Sequence, residues 1–154
     1  MPKIALLSGL AVSALLPLAA IAADHTIVQS DGLKWGPGPA ALPKGAQIAP
    51  LYGDPSKEGA YAYRLKLPAG YKVAPHMHPN DENVTVMSGT FHIGMGDTLD
   101  EKKTEPIKAG GVLLMPKGMH HFAYFPVETV IQSNGVGPAG ITYINDKDDP
   151  RKTQ

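Results

Sequence analysis

Alternating apolar and polar positions dominate the chain after its first two dozen residues. Residues 61–67 read Tyr-Ala-Tyr-Arg-Leu-Lys-Leu, so that every second side chain is large and apolar. A period of two residues indicates a strand with one buried face. Similar short segments recur at 46–52, 83–88 and 90–94, separated by glycine and proline turns. No segment beyond the N-terminus has a helical period, so the sequence predicts an all-β sandwich or barrel.

Weaker patterns extend this prediction to both ends of the chain. Further strands are expected at 24–30, 73–78, 127–133 and 140–145. The segments 107–115 and 121–125 are expected to pair as a hairpin. Residues 35–45 contain too many Pro and Gly for a helix, and we expect them to cross the barrel surface as an ordered arm.

The N-terminus follows a different pattern. Met-Pro-Lys precedes an apolar run from Ile4 to Leu18, and small residues continue to Ala23. A basic start, a hydrophobic segment and a small-residue region are typical of a secretory signal peptide. The run is short and interrupted by Gly, Ser and Pro, which disfavours the alternative of an uncleaved membrane anchor. We therefore expect export to a periplasm or beyond, and no membrane attachment of the mature chain.

These patterns divide the chain into four parts. The expected division is a signal peptide at 1–23, an N-terminal arm with the first strands at 24–60, the barrel at 61–145, and a charged tail at 146–154.

Composition narrows the function further. The 14 basic and 14 acidic residues balance, and no basic patch indicates nucleic-acid binding. The chain has no cysteine, which excludes disulfides, thiolate metal ligands and a cysteine nucleophile. A nucleotide-binding glycine motif after a strand is also absent from the sequence.

The strongest chemical signal is a pair of histidines, His76 and His78, followed by Glu82. On an extended strand the two imidazoles share a face, because side chains alternate. Glu82 can return to that face from the next strand. Two nitrogens and a carboxylate oxygen suit a divalent transition metal, and a fourth ligand is expected downstream.

The spacing around these residues resembles the first motif of the cupin superfamily, whose RmlC-like members share a small barrel. That motif is Gly, five residues, His-x-His, three or four residues, Glu, six residues and Gly. The sequence fits it at Gly70, His76, His78, Glu82 and Gly89.

A second stretch is similar to the second cupin motif. That motif is Gly, five residues, Pro-x-Gly, two residues, His, three residues and Asn. It fits at Gly110, Pro116, Gly118 and His121, but Phe125 occupies the place of Asn. An apolar ring there predicts a more hydrophobic pocket wall.

The resemblance implies a single-domain double-stranded β-helix, or jelly roll, that holds one metal through His76, His78, Glu82 and His121. Iron, manganese, nickel, copper and zinc all accept such a mixed nitrogen and oxygen set. Similar cupins suggest that Glu82 can also act as a base. The neighbouring His120 is expected to point away from the metal by strand alternation.

The residues of a substrate pocket are less well specified. Phe125 shares the face of His121 by strand alternation. Tyr63 is a candidate for an aromatic-lined wall, although packing in the barrel core is the favoured interpretation for any single residue of this kind. Met119 shares the parity of His121 if the intervening turn is extended, and a sulfur near the metal would favour copper.

The cupin resemblance leaves the reaction open, because this fold carries many functions. The first hypothesis is an exported oxidoreductase of dioxygenase type, acting on a small aromatic or enol-bearing molecule. A metal-dependent isomerase, lyase or hydrolase is an alternative, and a non-catalytic metal or ligand sensor is another. Cupins commonly pair, so a homodimer is expected, with residues 24–50 as a candidate swapped element.

Overall fold

The structure, a computed structural model, describes residues 25–152. The expected signal peptide at 1–23 lies outside these residues. The strands are β1 (Gly36–Pro37), β2 (Gln47–Tyr52), β3 (Gly59–Leu67), β4 (Tyr71–Met77), β5 (Glu82–Ser88), β6 (Thr90–Met95), β7 (Glu105–Lys108), β8 (Val112–Met115), β9 (His121–Phe125), β10 (Thr129–Gly137) and β11 (Thr142–Tyr143). The helical segments of the described part are 3-10 turns at Ser30–Gly32, Glu101–Lys103 and Asp146–Asp148.

Two antiparallel sheets contain all of these strands. One sheet has the order β1-β2-β3-β10-β5-β8, and the other has the order β11-β4-β9-β6-β7. Neighbours in a sheet are often distant in sequence, as in the β3–β10 pairing that joins Leu67 to Thr129. The prediction of an all-β fold is therefore confirmed. Among the described residues no helix is long and apolar enough to cross a membrane.

The core lies between the two sheets and follows the period of two. On β3 the side chains of Tyr61, Leu65 and Leu67 are buried, as the alternation predicts. Residues from β4, β5, β6, β9 and β10 complete one continuous apolar cluster. A buried side chain of this kind contributes about 1.5–3 kcal/mol relative to an exposed one.

Two glycines of the cupin-like motifs allow the sharp connections that the fold needs. Gly89 joins β5 to β6 at a φ of 79°, and a Cβ there would lie 2.5 Å from the Glu128 carbonyl oxygen. Gly118 precedes β9 at a φ of 73°. Only glycine adopts these conformations readily, so side chains at these positions would strain both turns.

Two predictions of strands are wrong. Residues 25–29 form no strand, and the exposed side chains of Ile27 and Val28 find no sheet edge to pack on. The segments 107–115 and 121–125 form no hairpin, because Gly110 and Gly111 divide the first into β7 and β8. β8 pairs with β5 in the six-stranded sheet, whereas β9 pairs with β4 and β6 in the other.

The arm at 35–45 packs against its own barrel. β1 pairs with β2 at the edge of the six-stranded sheet. The hydroxyl of Tyr71 donates to the Pro43 carbonyl at 2.5 Å, and the hydroxyl of Tyr143 donates to the Ala41 carbonyl at 2.8 Å. These bonds fix the arm across the open side of the gap between the sheets.

Candidate metal centre

Three histidines converge from the five-stranded sheet. His76 lies in β4, His78 follows its end, and His121 opens β9. His76 and His121 are directly opposite in the β4–β9 ladder, and their ring centroids are 4.2 Å apart. A ring nitrogen from each of the three imidazoles lies within 4.8 Å of the others.

A β-bulge in β4 places His76 on the inner face. Val73 pairs with Ala123 and His76 pairs with His121, so β4 uses one more residue than β9 over this interval. Strict alternation from the buried Val73 would turn His76 outwards. The extra residue corrects the phase, and Pro75 is compatible with a bulge because it donates no ladder hydrogen bond.

Backbone carbonyl groups orient all three imidazoles. The Nδ1 atoms of His76, His78 and His121 lie 2.7, 2.7 and 2.9 Å from the carbonyl oxygens of Ala74, Gly140 and Met119. A carbonyl only accepts, so each neutral ring carries its proton on Nδ1. The Nε2 lone pairs are then free, which is the arrangement of metal-ligating histidines.

The fourth expected ligand, Glu82, comes from the other sheet. It is the first residue of β5, and its Oε2 lies 3.3 Å from His78 Nε2. Glu82 is not part of the group whose donor atoms all lie within 4.8 Å of one another. Two donors bound about 2.1 Å from one metal at angles of 90–109° are roughly 3.0–3.4 Å apart, so the His78–Glu82 spacing fits shared coordination.

The surroundings of His78 Nε2 also fit a metal here. This nitrogen is buried, and although Glu82 Oε2 lies 3.3 Å away, no atom of the described residues meets it with acceptable hydrogen-bond geometry. A buried polar atom without a partner is destabilising. Coordination of a divalent cation would satisfy this atom, and three neutral nitrogens with a nearby carboxylate suit transition metals.

Burial keeps two of the imidazoles neutral. It lowers the pKa of His76 to about 3, with a further contribution from the neighbouring His121. Burial likewise lowers the pKa of His121, although the bond to the Met119 carbonyl opposes it. Both rings are therefore unprotonated at neutral pH and available as ligands.

His78 and Glu82 behave differently because they face each other. Burial lowers the pKa of His78, but the Glu82 carboxylate outweighs it, so the net shift is upwards. Burial raises the pKa of Glu82, yet the contact with His78 and the other imidazoles shift it below its usual value. Glu82 is consequently ionised at neutral pH.

A cavity of about 330 Å³ runs from this cluster into the gap between the sheets. That volume lies at the small end of the range for ligand sites. All three histidines and Glu82 line it, and so do apolar residues of both sheets. The arm closes one side through Pro39, Ala41 and Leu42.

The structure places Phe125 where alternation predicts it. Its side chain is 2% exposed, lines the cavity, and stacks on Phe91 with ring centroids 5.0 Å apart. Phe125 lies four positions after His121 on β9, which corresponds to about 13 Å along a strand. The departure from Asn therefore produces an apolar wall at a distance from the cluster.

Of the other residues that the sequence singled out for the pocket, one lines the cavity and one does not. Tyr63 lines the cavity. Met119 does not, and its side chain is 45% exposed, because the turn before β9 gives only its carbonyl to His121. His120 lies outside the cluster and its Nδ1 is 2.6 Å from Asp97 Oδ1.

Several site residues could not be recognised from the motifs. Gly140, which anchors His78, is 62 residues away in sequence. Arg151 in the charged tail lines the cavity and pairs with Asp149, which lowers the pKa of that carboxyl to about 2. The one sequence signal of the bulge is that Val73 and His76, three positions apart, cannot both face inwards on a regular strand.

Comparison with known proteins identifies the family. The sequence model of the ChrR cupin-like domain matches residues 23–139, which is most of the chain. Germin-like protein 3-1 of Oryza sativa subsp. japonica is 34% identical over 68 residues, covering 44% of this chain and 30% of that protein. The chain thus spans less than a third of this curated relative.

Solved structures share the cupin jelly roll. The acetylacetone dioxygenase of Acinetobacter johnsonii has a TM-score of 0.60 and 17% identity, covering 89% of this chain and 88% of that one. The complex of Rhodobacter sphaeroides SigE with the anti-sigma ChrR gives a TM-score of 0.51 and 19% identity, covering 69% of this chain and 51% of that one. Likeness at this level of identity establishes the fold.

Proposed function

The chain belongs to the ChrR cupin-like domain family, and we propose that it is a mononuclear metal-dependent oxidoreductase of dioxygenase type. Its substrate would be a small, largely apolar molecule with an enol or carbonyl oxygen. The observation that carries this proposal is the cluster of three oriented imidazoles at one end of a mostly apolar cavity of about 330 Å³.

His76, His78 and His121 would hold one divalent transition metal, with Glu82 as the fourth ligand. Iron, manganese, nickel, copper and zinc are compatible with this set. When bound, the metal supplies Lewis acidity towards a substrate oxygen and, if it is redox-active, electron exchange with dioxygen. Dioxygen is the oxidant and the substrate supplies the electrons, so no further cofactor is needed.

The residues of the chain perform three tasks around that centre. The carbonyl bonds to Nδ1 keep the imidazoles in one tautomer and orientation. When Glu82 is released from the metal, its ionised carboxylate can accept a proton from an enol or an acidic C–H group. Phe91 and Phe125 exclude water from the far part of the cavity, where a carbon skeleton would lie.

The structural neighbour from Acinetobacter supports the choice of a substrate class, because acetylacetone is a small molecule with two oxygens. A test should therefore begin with that compound. Protein loaded separately with iron(II), manganese, nickel or zinc is mixed with acetylacetone in an oxygen electrode. We expect oxygen uptake with a redox-active metal, none with zinc, and a loss of at least about 100-fold in Glu82→Gln if the carboxylate is the base.

A second candidate, a ligand-binding sensor, has a specific observation in its favour. The family is that of the ChrR cupin-like domain, and ChrR is the anti-sigma partner in one solved neighbour. A sensor would bind the metal and a ligand without consuming oxygen. Tight binding of acetylacetone by calorimetry, with no turnover in air for any metal, would favour this candidate over the enzyme.

We also propose that the chain is exported and that it forms a homodimer. The sequence pattern of residues 1–23 supports cleavage and delivery to a periplasm. N-terminal sequencing of protein recovered from the periplasmic fraction should begin at Ala23 or Asp24. A homodimer should give twice the mass of one chain in light scattering, and recovery of one chain mass would contradict it.

A further inference from the structure

Two tyrosines occupy the wall of the cavity that faces the histidines. Tyr61 and Tyr63 lie two residues apart on β3, and both line the cavity. Their rings are nearly parallel, with centroids 5.6 Å apart and an interplanar angle of 7°. Both phenols therefore project from the same face of the six-stranded sheet.

Ser133 on β10 adds a third hydroxyl beside these phenols. It is directly opposite Tyr63 in the β3–β10 ladder, and opposite residues of a ladder share a face. Ser133 is 1% exposed, and its Oγ has no partner of good hydrogen-bond geometry among residues 25–152. A buried hydroxyl without a well-placed partner is destabilising, so its retention needs an explanation.

The phenols are neutral. Burial raises the pKa of both Tyr61 and Tyr63 and outweighs the lowering effect of the Ser133 hydroxyl, while the charge of Glu82 adds to the upward shift. The two phenols thus keep their protons at physiological pH and act as hydrogen-bond donors. Tyr61, Tyr63 and the expected metal ligand Glu82 line the same cavity.

The position of Tyr61 depends on a small neighbour. Gly135 pairs opposite Tyr61, and a Cβ at Gly135 would lie 3.0 Å from the phenol oxygen. The backbone at Gly135 has no positive φ, so glycine is not needed there for its conformation. The absence of a side chain is what leaves room for the hydroxyl.

We propose that Tyr61 and Tyr63, with Ser133 buried beside them, form an oxygen-binding subsite that selects small apolar substrates carrying two oxygen functions. One oxygen of the substrate would bind at the metal end of the cavity, so this inference rests on the proposed function. The phenol O–H groups donate to the second, a carbonyl or enolate oxygen. A ligand with one oxygen leaves buried donors unpaired, and sites of that kind reject such analogues strongly.

The test compares two ketones and three matched variants. Acetylacetone has two oxygens, and pentan-2-one has the same carbon chain with one. Binding of each to manganese-loaded protein is measured by calorimetry under argon, which prevents turnover. Tyr61→Phe and Tyr63→Phe each remove one hydroxyl, and Tyr124→Phe is the control because its ring contacts His92 and Lys72 outside the cavity.

We expect Tyr61→Phe and Tyr63→Phe to weaken acetylacetone binding by about five- to tenfold, the usual loss for one hydrogen bond. Pentan-2-one affinity should not fall and should rise if anything, because each variant removes a donor that this ligand leaves unpaired. Metal content and the Tyr124→Phe variant should be unchanged. Gly135→Ala should also weaken acetylacetone binding, and its effect should shrink in a Tyr61→Phe background, where the hydroxyl that it displaces is missing.

Three results would overturn the inference, and they are distinguishable from one another. Equal acetylacetone affinity in all variants would remove the subsite and leave the proposed function intact. Equal losses for both ketones would indicate general damage to the cavity. No binding of either ketone to metal-loaded wild-type protein would contradict the proposed function and the substrate class together.

Discussion

The two ends of the cavity are organised by different forces. At the metal end, three imidazoles are fixed by hydrogen bonds to backbone carbonyls, and one carboxylate faces them. About 13 Å further along the strands, Phe125 stacks on Phe91, and Leu67 and Ile131 complete an apolar lining. Hydrogen bonds determine the side-chain orientations at the metal end, and the packing of side-chain volume determines the shape of the apolar end.

This difference separates the roles of the residues. A hydrogen bond to a carbonyl determines which nitrogen of an imidazole is free. Because these carbonyls belong to the backbone, substitutions of other side chains leave them in place. Close packing tolerates exchange among apolar residues of similar volume. Changes at the far end should therefore alter stability and ligand choice, whereas changes at the metal end should alter metal binding.

The largest expected effect concerns the far end. Phe125→Ala removes a fully buried ring and should lower the free energy of unfolding by about 3–5 kcal/mol, as for other phenylalanine truncations. Metal stoichiometry should remain near one. Urea unfolding and elemental analysis provide both measurements, with Phe125→Leu as a milder control. Loss of metal from a folded Phe125→Ala protein would break the separation of the two ends.

At the metal end, His121→Ala should weaken metal binding by more than about 100-fold, since even outer hydrogen-bond partners contribute roughly 10- to 100-fold. His120→Ala is the matched control, because this residue contacts Asp97 instead of the cluster. Competition with a coloured chelator measures both affinities. Equal losses in the two variants would mean that His121 has been misassigned as a ligand.

Metal removal should have a smaller effect on the whole fold. A ligand present at 100 times its Kd stabilises the native state by about 2.7 kcal/mol. For a chain of this size that corresponds to a rise in Tm of roughly 5–10 °C, which a chelator should reverse. Scanning calorimetry with and without the metal tests this. An unchanged Tm would contradict a metal site formed only in the folded state.

The smallest effect concerns pH in metal-free protein. The pKa values of His76, near 3, and of His121 are lowered, so the unfolded chain binds protons below pH 6.5 that the folded chain does not. Folding stability should therefore fall as pH drops from 7 to 5. His78, with its raised pKa, contributes in the opposite direction and reduces the loss. A urea midpoint that rises over this range would contradict neutral, buried imidazoles.

The sequence predicted the all-β fold class but not every connection within it. Motif spacing identified four residues that the structure brings to one end of the cavity, because those residues are close in sequence or follow a recognisable turn. The bulge before His76 was missed, although the buried Val73 three positions earlier is out of phase with it. The expected 107–115 and 121–125 hairpin failed because pairing across sheets depends on long-range order.

Side-chain direction after a turn was also beyond sequence reasoning. The side chain of Met119 is exposed while its own backbone carbonyl accepts the hydrogen bond from His121. The alternation of positions along the sequence does not distinguish these two outcomes. The pairing of Ser133 with Tyr63 likewise joins residues 70 positions apart, which only the β3–β10 register establishes.

The origin of the candidate ligands in two sheets has a mechanical consequence. His76 and His121 belong to the five-stranded sheet and His78 directly follows β4 of that sheet, whereas Glu82 belongs to the six-stranded one. Any breathing of the sheets changes the distance between the carboxylate and the imidazoles without altering the imidazoles themselves. Coordination by Glu82 would thus depend on the width of the gap between the sheets. A bulkier ligand that forces the sheets apart would first lengthen the distance between the Glu82 carboxylate and the imidazoles.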